Sequence, residues 1–122
     1  MRFIKMQGTG NDYVYVDAFR EKVENPAVLA EKISHRRFGV GADGLILIKP
    51  SPGMDAEMEM YNADGSRSEM CGNGLRCVAK YVHDTYAPGK ADFRFLTGAG
   101  LREAHIVRRD EAGRAEQVQL DM

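Results

Sequence analysis

Cysteine is scarce in this chain, with only Cys71 and Cys77 among 122 residues. Their spacing is neither Cys-x-x-Cys nor a zinc-ligand pattern, and the three histidines are scattered. No disulfide framework and no metal site is therefore expected, and a reducing cytoplasm is the natural compartment. Asn-x-Ser/Thr is absent as well. Long apolar runs are missing. Nothing approaches the roughly 18 residues of a membrane span, and Met1–Met6 lacks the apolar core of a signal peptide. Charge of one sign is also missing, since 17 basic residues face 18 acidic ones for a net charge of −1. No basic excess points to nucleic acid or to an anionic membrane, which leaves a small molecule or another protein as partner. There is no internal repeat and no low-complexity tract. What remains is a single globular domain, 1–122, long enough to bury one core.

Two segments carry helical signals. Asn25-Pro26 offers a capping side chain, then a proline whose missing N–H costs nothing in the first turn. Val28, Leu29 and Ile33 follow as an apolar stripe that should fade near His35. After Cys71-Gly72-Asn73-Gly74, the residues Leu75, Val78, Ala79 and Val82 recur at helical spacing, and the run should end before Pro88-Gly89. Elsewhere the pattern alternates. Met58 and Met60 oppose Glu57 and Glu59, Phe93 and Phe95 flank Arg94, and Val118, Leu120 and Met122 alternate with Gln119 and Asp121. Such alternation marks half-buried strands, and further strands fit 2–7, 12–19, 44–49 and 101–109. Asp64-Gly65 and Asp110–Gly113 supply turn chemistry. About seven strands with two helices leave too few crossovers for a parallel sheet, so the expected class is α+β with a mixed, mostly antiparallel sheet.

Gly39-Val40-Gly41-Ala42-Asp43-Gly44 matches the G-x-G-x-x-G of dinucleotide-binding folds. That fingerprint works only after a strand and at the start of a helix. Here a helix precedes it and the strand from Leu45 follows, and no Gly-Lys-Ser/Thr accompanies it. The glycines are read as a tight turn, and Asp43 as either a ligand contact or a turn carboxylate accepting backbone N–H groups.

The stretch from Met60-Tyr61-Asn62-Ala63-Asp64-Gly65-Ser66 to Met70-Cys71-Gly72-Asn73-Gly74 is the informative one. It joins a strand to a helix and puts Cys71 at or just before the helix start. The unpaired N–H groups and partial positive charge there favour a thiolate over a thiol. The same N–H groups suit a carboxylate, and Gly72 and Gly74 leave the backbone open to a ligand. A base beside a carboxylate cradle fits proton removal from the carbon next to that carboxylate. The alternative for Cys71 is a small buried apolar side chain, and Cys77, beside the apolar stripe, is read that way. Asn11 and Asn62 can pair with a carboxylate or an ammonium, or can serve turns and caps.

Three segments resemble the diaminopimelate epimerase family: Lys5-Met6-Gln7-Gly8-Thr9-Gly10-Asn11-Asp12, Arg37-Phe38-Gly39-Val40-Gly41-Ala42-Asp43-Gly44, and Tyr61-Asn62-Ala63-Asp64-Gly65-Ser66 through Cys71-Gly72-Asn73-Gly74-Leu75-Arg76-Cys77. The likeness spans this chain and about half of a typical member. It implies one of two similar halves, a β-roll or barrel wrapped around a central helix, with the active site between the halves. It also implies cofactor-independent, PLP-free epimerisation of LL- and meso-diaminopimelate, in lysine and peptidoglycan-precursor synthesis, by two cysteines. On that resemblance Cys71 is one acid/base thiol, Gly72 and Asn73 hold the α-carboxylate, and Asn11 and Asn62 contact substrate. The second cysteine, in a Cys-Gly-Thr context, is expected on a C-terminal domain beyond Met122, so the chain alone should be inactive or nearly so. A homodimer stays open. Gln7, Thr9 and Tyr13 replace a frequent histidine, leucine and phenylalanine, and Gly44 stands where some members have glutamine. Proline racemases usually carry histidine where this chain has Asn73, and phenazine-biosynthesis isomerases lack the cysteine. The competing reading is a non-catalytic half-domain that binds an amino acid or a partner subunit.

Overall fold

Among the described residues, each of two helices bridges one parallel pair of strands, and every other pairing in the sheet is antiparallel. The computed structural model describes residues 4–8, 11–34 and 43–121. The chain runs β1 (Ile4–Gly8), β2 (Asn11–Asp17), α1 (Pro26–Ser34), β3 (Gly44–Lys49), β4 (Ala56–Asn62), β5 (Arg67–Ser68), α2 (Gly72–Tyr86), β6 (Asp92–Thr97), β7 (Gly100–Arg109) and β8 (Ala115–Asp121). They form one sheet in the order β1-β2-β3-β4-β6-β7-β8, with β5 added to the end of β4. Because α1 lies between β2 and β3, and α2 between β4 and β6, those two pairs are the parallel ones. A parallel pair needs a long crossover, whereas a hairpin suffices for the rest.

The sheet curls. Helix α2 packs against β1 and β8, the two ends of the strand order, as well as against β2 and β4. It therefore lies inside the curve, over a core that includes Tyr15, Ile46, Met58, Met60, Phe93 and Phe95. On the opposite face α1 covers Val14, Val16, Leu45, Leu47 and Tyr61. Strand β3 is buried on both faces, which explains its unbroken run Leu45-Ile46-Leu47-Ile48. Strand β6 alternates, with Phe93, Phe95 and Thr97 inward and Asp92, Arg94 and Leu96 outward. The expected mixed sheet around a central helix is what the structure shows.

Some boundaries differ. Among the described residues there are eight strands rather than seven, the addition being β5, which is too short to carry an alternation signal. Strand β2 ends at Asp17 rather than at 19, because the Asp17 carboxylate accepts the Phe19 N–H at 2.9 Å and its carbonyl accepts the N–H groups of Arg20 and Glu21. Strand β8 begins at Ala115, earlier than its apolar alternation suggests. The expected fading of α1 at His35 and most of the glycine-rich loop lie outside the described residues. No helix among the described residues is long and apolar enough to cross a membrane.

Candidate active site

Cys71 is the N-cap of α2. Its backbone is extended (φ −141°, ψ 118°), and its carbonyl accepts the Leu75 N–H at 2.9 Å, closing the first helical turn. Gly72, Asn73 and Gly74 form that first turn, where the helix end carries partial positive charge, and the cap makes no side-chain hydrogen bond to it. The expected juxtaposition of a thiol and a helix start is therefore present. Cys71 is partly buried, as are Gly72 and Asn73. The Asn73 carboxamide accepts from Arg76 at 3.3 Å.

Two features hold the segment before Cys71. The β4–β5 hairpin turns through Gly65, whose φ of +87° suits glycine. Its tip rests on α1, so a methyl group at Gly65 would come within 2.9 Å of the Ala27 carbonyl oxygen. Farther along, a methyl group at Gly98, in the β6–β7 turn, would lie 2.8 Å from Glu69 Cα. The bare glycine lets that turn touch the backbone two residues before Cys71.

Tyr13 joins the site from β2. It lies opposite Gly44 on β3, which in turn lies opposite Asn62 on β4. This row is two residues from the row Tyr15, Ile46 and Met60 that faces α2. Side chains two apart on a strand share a face, so Tyr13 also points toward α2. Its phenol is a neighbour of the Cys71 side chain. Burial, the adjacent Cys71 and then Asp43 push the Tyr13 phenol up to about 12. Tyr15, one step along, makes the corresponding contact with Cys77; burial and then Cys77 hold its phenol far above the usual range. Cys77 thus faces β2 at the margin of the core, in keeping with a packing role.

The other sequence-predicted residues divide. Asn62 is exposed at the hairpin mouth, its amide donating to Ser66 Oγ at 3.0 Å, so it serves the turn as well as bordering the Tyr13–Gly44 row. Asn11 opens β2, and its side chain lies outside the described residues, as do those of Gln7 and Thr9. Asp43 accepts the Asp12 N–H at 2.8 Å while its own N–H donates to the Asp12 carbonyl. Its carboxylate thus serves a backbone N–H, but one on β2 rather than in its own turn. A methyl group at Gly44 would fall 2.3 Å from the Tyr61 carbonyl oxygen, so glycine is needed for close approach at β3–β4. Among the described residues no cluster of three or more His, Cys, Asp or Glu side chains could hold a metal.

The far end of α2 is fixed on the same strand. The buried Asp17 carboxylate accepts Tyr81 Oη at 2.7 Å and Tyr86 Oη as well. Tyr13, Tyr15 and Asp17 therefore meet Cys71, Cys77 and Tyr81 in order along the helix.

The sequence model of diaminopimelate epimerase matches residues 3–122. The chain belongs to this family. Curated diaminopimelate epimerases from Acetivibrio thermocellus and Agathobacter rectalis are 51% and 50% identical to it over 122 residues. One from Methanococcus maripaludis strain C5 is 46% identical over the same length. All of this chain aligns, but it spans only 42–43% of the length of these relatives. Among solved structures, a probable proline racemase from Agrobacterium radiobacter K84 superposes with a TM-score of 0.78 at 18% identity, over 98% of this chain and 41% of that one. A hydroxyproline epimerase from Agrobacterium vitis gives 0.73 at 18% identity, over 98% and 40%. At that identity these two neighbours establish the shared fold.

Proposed function

We propose that this chain supplies one half of a cofactor-independent, two-base diaminopimelate epimerase acting in the cytoplasm, in lysine and peptidoglycan-precursor synthesis. The supporting observation is Cys71 at the N-cap of α2, beside its first-turn N–H groups, in a chain of this family. The substrate α-carboxylate sits on the N–H groups of Gly72 and Asn73, where the helix end attracts an anion. Anchoring it there also stabilises the negative charge that spreads into the carboxylate when the α-proton leaves. Cys71, as thiolate, takes that proton; in the reverse direction, as thiol, it returns one. Asn62 and Asn11 contact the substrate from the mouths of β4 and β2.

Inversion needs a second acid on the opposite face of the α-carbon. In this reading it is the cysteine of a C-terminal domain, and the site lies between the two. Incubating this chain with LL-diaminopimelate in D₂O and following the α-proton by NMR tests the assignment. The expected result is slow exchange without inversion, lost in Cys71→Ala. Exchange that persists in Cys71→Ala refutes the role of Cys71, and rapid epimerisation by this chain alone refutes the need for a second half.

A further inference from the structure

We propose that Arg102 is a further carboxylate-binding residue of this site: it lies folded back on its own strand just beyond the start of α2, and swings out to share the carboxylate seated on Gly72 and Asn73. The inference rests on reading that helix start as the carboxylate seat.

The register of the sheet turns Arg102 inward. It pairs with Phe95 across β6 and β7, and Phe95 is buried in the core that faces α2. Residues directly opposite one another share a face, so Arg102 shares that face with Phe95. Two residues along, on the same face of β7, come Ala104 and then Ile106, both buried in the same core. Arginine is rarely set on such a row without a partner.

Three contacts fix where this row meets the helix. Ala104 pairs with Leu120 on β8, and Leu120 Cδ1 would lie 3.9 Å from a methyl group on Gly72. At the other end, Arg109 Nε donates to His83 Nε2 at 3.0 Å. Gly72 to His83 is about 16 Å of helix rise, and Ala104 to Arg109 is about the same length of strand, so α2 and β7 run side by side in one direction. Arg102, two residues before Ala104, therefore lies about 7 Å beyond the helix start. Past it, the β6–β7 turn meets the backbone of Glu69, 2.8 Å from a methyl group placed on Gly98. Arg102 is thus bracketed by contacts to Gly72 and to Glu69, on either side of Cys71.

The guanidinium is poorly satisfied where it lies. Its Nη1 donates to the carbonyl of its own neighbour, Leu101, at 2.8 Å, and would sit 3.8 Å from a methyl group on Gly100. Its Nε is buried without an acceptor. Among the described residues no carboxylate pairs with it. A buried donor left without an acceptor is costly, and a carboxylate offers the guanidinium two parallel N–H bonds in exchange. The long stem has the rotamer freedom to make that move. Once there, the cation adds to the partial positive charge of the helix end. It also favours the carboxylate further when the leaving α-proton sends negative charge into it.

The test is a titration of this chain, labelled with ¹⁵N, with LL-diaminopimelate and separately with acetate, sodium chloride holding the ionic strength constant. The Gly72 and Asn73 amides and the Arg102 Nε–H are followed together by NMR. All three signals should move with one midpoint. In Arg102→Gln the affinity read at Gly72 and Asn73 should fall about tenfold, the loss of one charge-assisted hydrogen bond. Arg102→Lys should recover only part of that loss, since an ammonium lacks the planar fork. Unchanged affinity at Gly72 and Asn73 in Arg102→Gln overturns the inference and leaves the helix-start seat standing. An Arg102 Nε–H signal that stays put in the parent while both amides saturate does the same, and needs no variant to fold. Movement of Arg102 Nε–H with still amides keeps Arg102 as a carboxylate residue and refutes the helix-start seat. Silence from all three signals refutes both.

Discussion

Removing the Asp17 carboxylate should unfasten the C-terminal end of α2 from β2, and the structure sets the size of the effect. Asp17 is only 5% exposed and accepts three donors: Tyr81 Oη at 2.7 Å, Tyr86 Oη, and the Phe19 N–H at 2.9 Å. In Asp17→Ala the Tyr86 hydroxyl can turn to water, since that residue is 40% exposed. The half-buried Tyr81 phenol and the Phe19 N–H lose their acceptor. At about 1–3 kcal/mol for each stranded donor, the variant should lose about 3 kcal/mol of stability. Tyr81→Phe leaves the carboxylate two donors and should cost about 1.5 kcal/mol. Because both changes delete the same bond, the double variant should be less destabilised than the sum, with a coupling of about 1–1.5 kcal/mol. Urea unfolding at pH 7 of the parent, both single variants and the double variant gives that coupling directly, provided the m-values agree. A coupling below about 0.5 kcal/mol would show that water satisfies both groups and that the helix is held by apolar packing alone.

Three further outcomes are expected. Burial first, then the neighbours Cys71, Glu59 and Asp17 respectively, push Tyr13, Tyr61 and Tyr81 up to about 12. Folded values above the unfolded 10 mean that this stability is complete below pH 10 and is lost between about pH 10 and 12, so absorbance at 295 nm should rise together with unfolding; three phenols ionising near pH 10 in a folded chain would refute this. Burial works against the Asp84 carboxylate, but hydrogen bonds from Lys80, the Ala115 N–H and His83 outweigh it and hold Asp84 below its usual range. Its contribution is therefore present above about pH 4 and lost as pH falls through the depressed value, and Asp84→Asn should flatten the acid limb of stability against pH. Gly44→Ala should cost at least about 1–3 kcal/mol, because its methyl group would lie 2.3 Å from a carbonyl oxygen of the paired strand; an unchanged urea midpoint would contradict that register.

Much of this was legible along the chain where one element carries its own signal. The stripe Leu75, Val78, Ala79 and Val82 and the stop at Pro88-Gly89 define α2, and the start of that helix puts Cys71 at its cap. Strand β3 shows itself as a continuous apolar run because both its faces are covered. What was not legible is pairing between elements distant in sequence. Asp43 reads as either a ligand contact or a local turn carboxylate, yet the N–H it accepts is that of Asp12 on another strand. Strand β5 exists only because β4 provides an edge for it. The tie between Tyr13 and Cys71 was missed, although β2 carries a trace of it. Val14 and Val16 mark one face, so Tyr13, Tyr15 and Asp17 must share the other, with three polar tips aimed at whatever packs there.

The same strand argues for a second contributor to any inversion. Cys71 and Cys77 are the two thiols of the chain, and six residues of helix separate them by about 9 Å of rise. Cys71 sits at the N-cap of α2, beside the first-turn N–H groups, whereas Cys77 is turned onto Tyr15 at the margin of the core. A carboxylate seated on the helix start would bring its α-carbon within reach of Cys71 only. Proton transfer needs a donor and acceptor within about 3 Å, or one water apart. Cys77 therefore cannot deliver a proton to the opposite face of that carbon without leaving β2 and breaking the contact with Tyr15. Replacing Cys77 by alanine should accordingly leave Cys71-dependent α-proton exchange intact. Loss of exchange in Cys77→Ala, with the fold preserved, would make the two thiols a working pair and dispense with a base from a second domain.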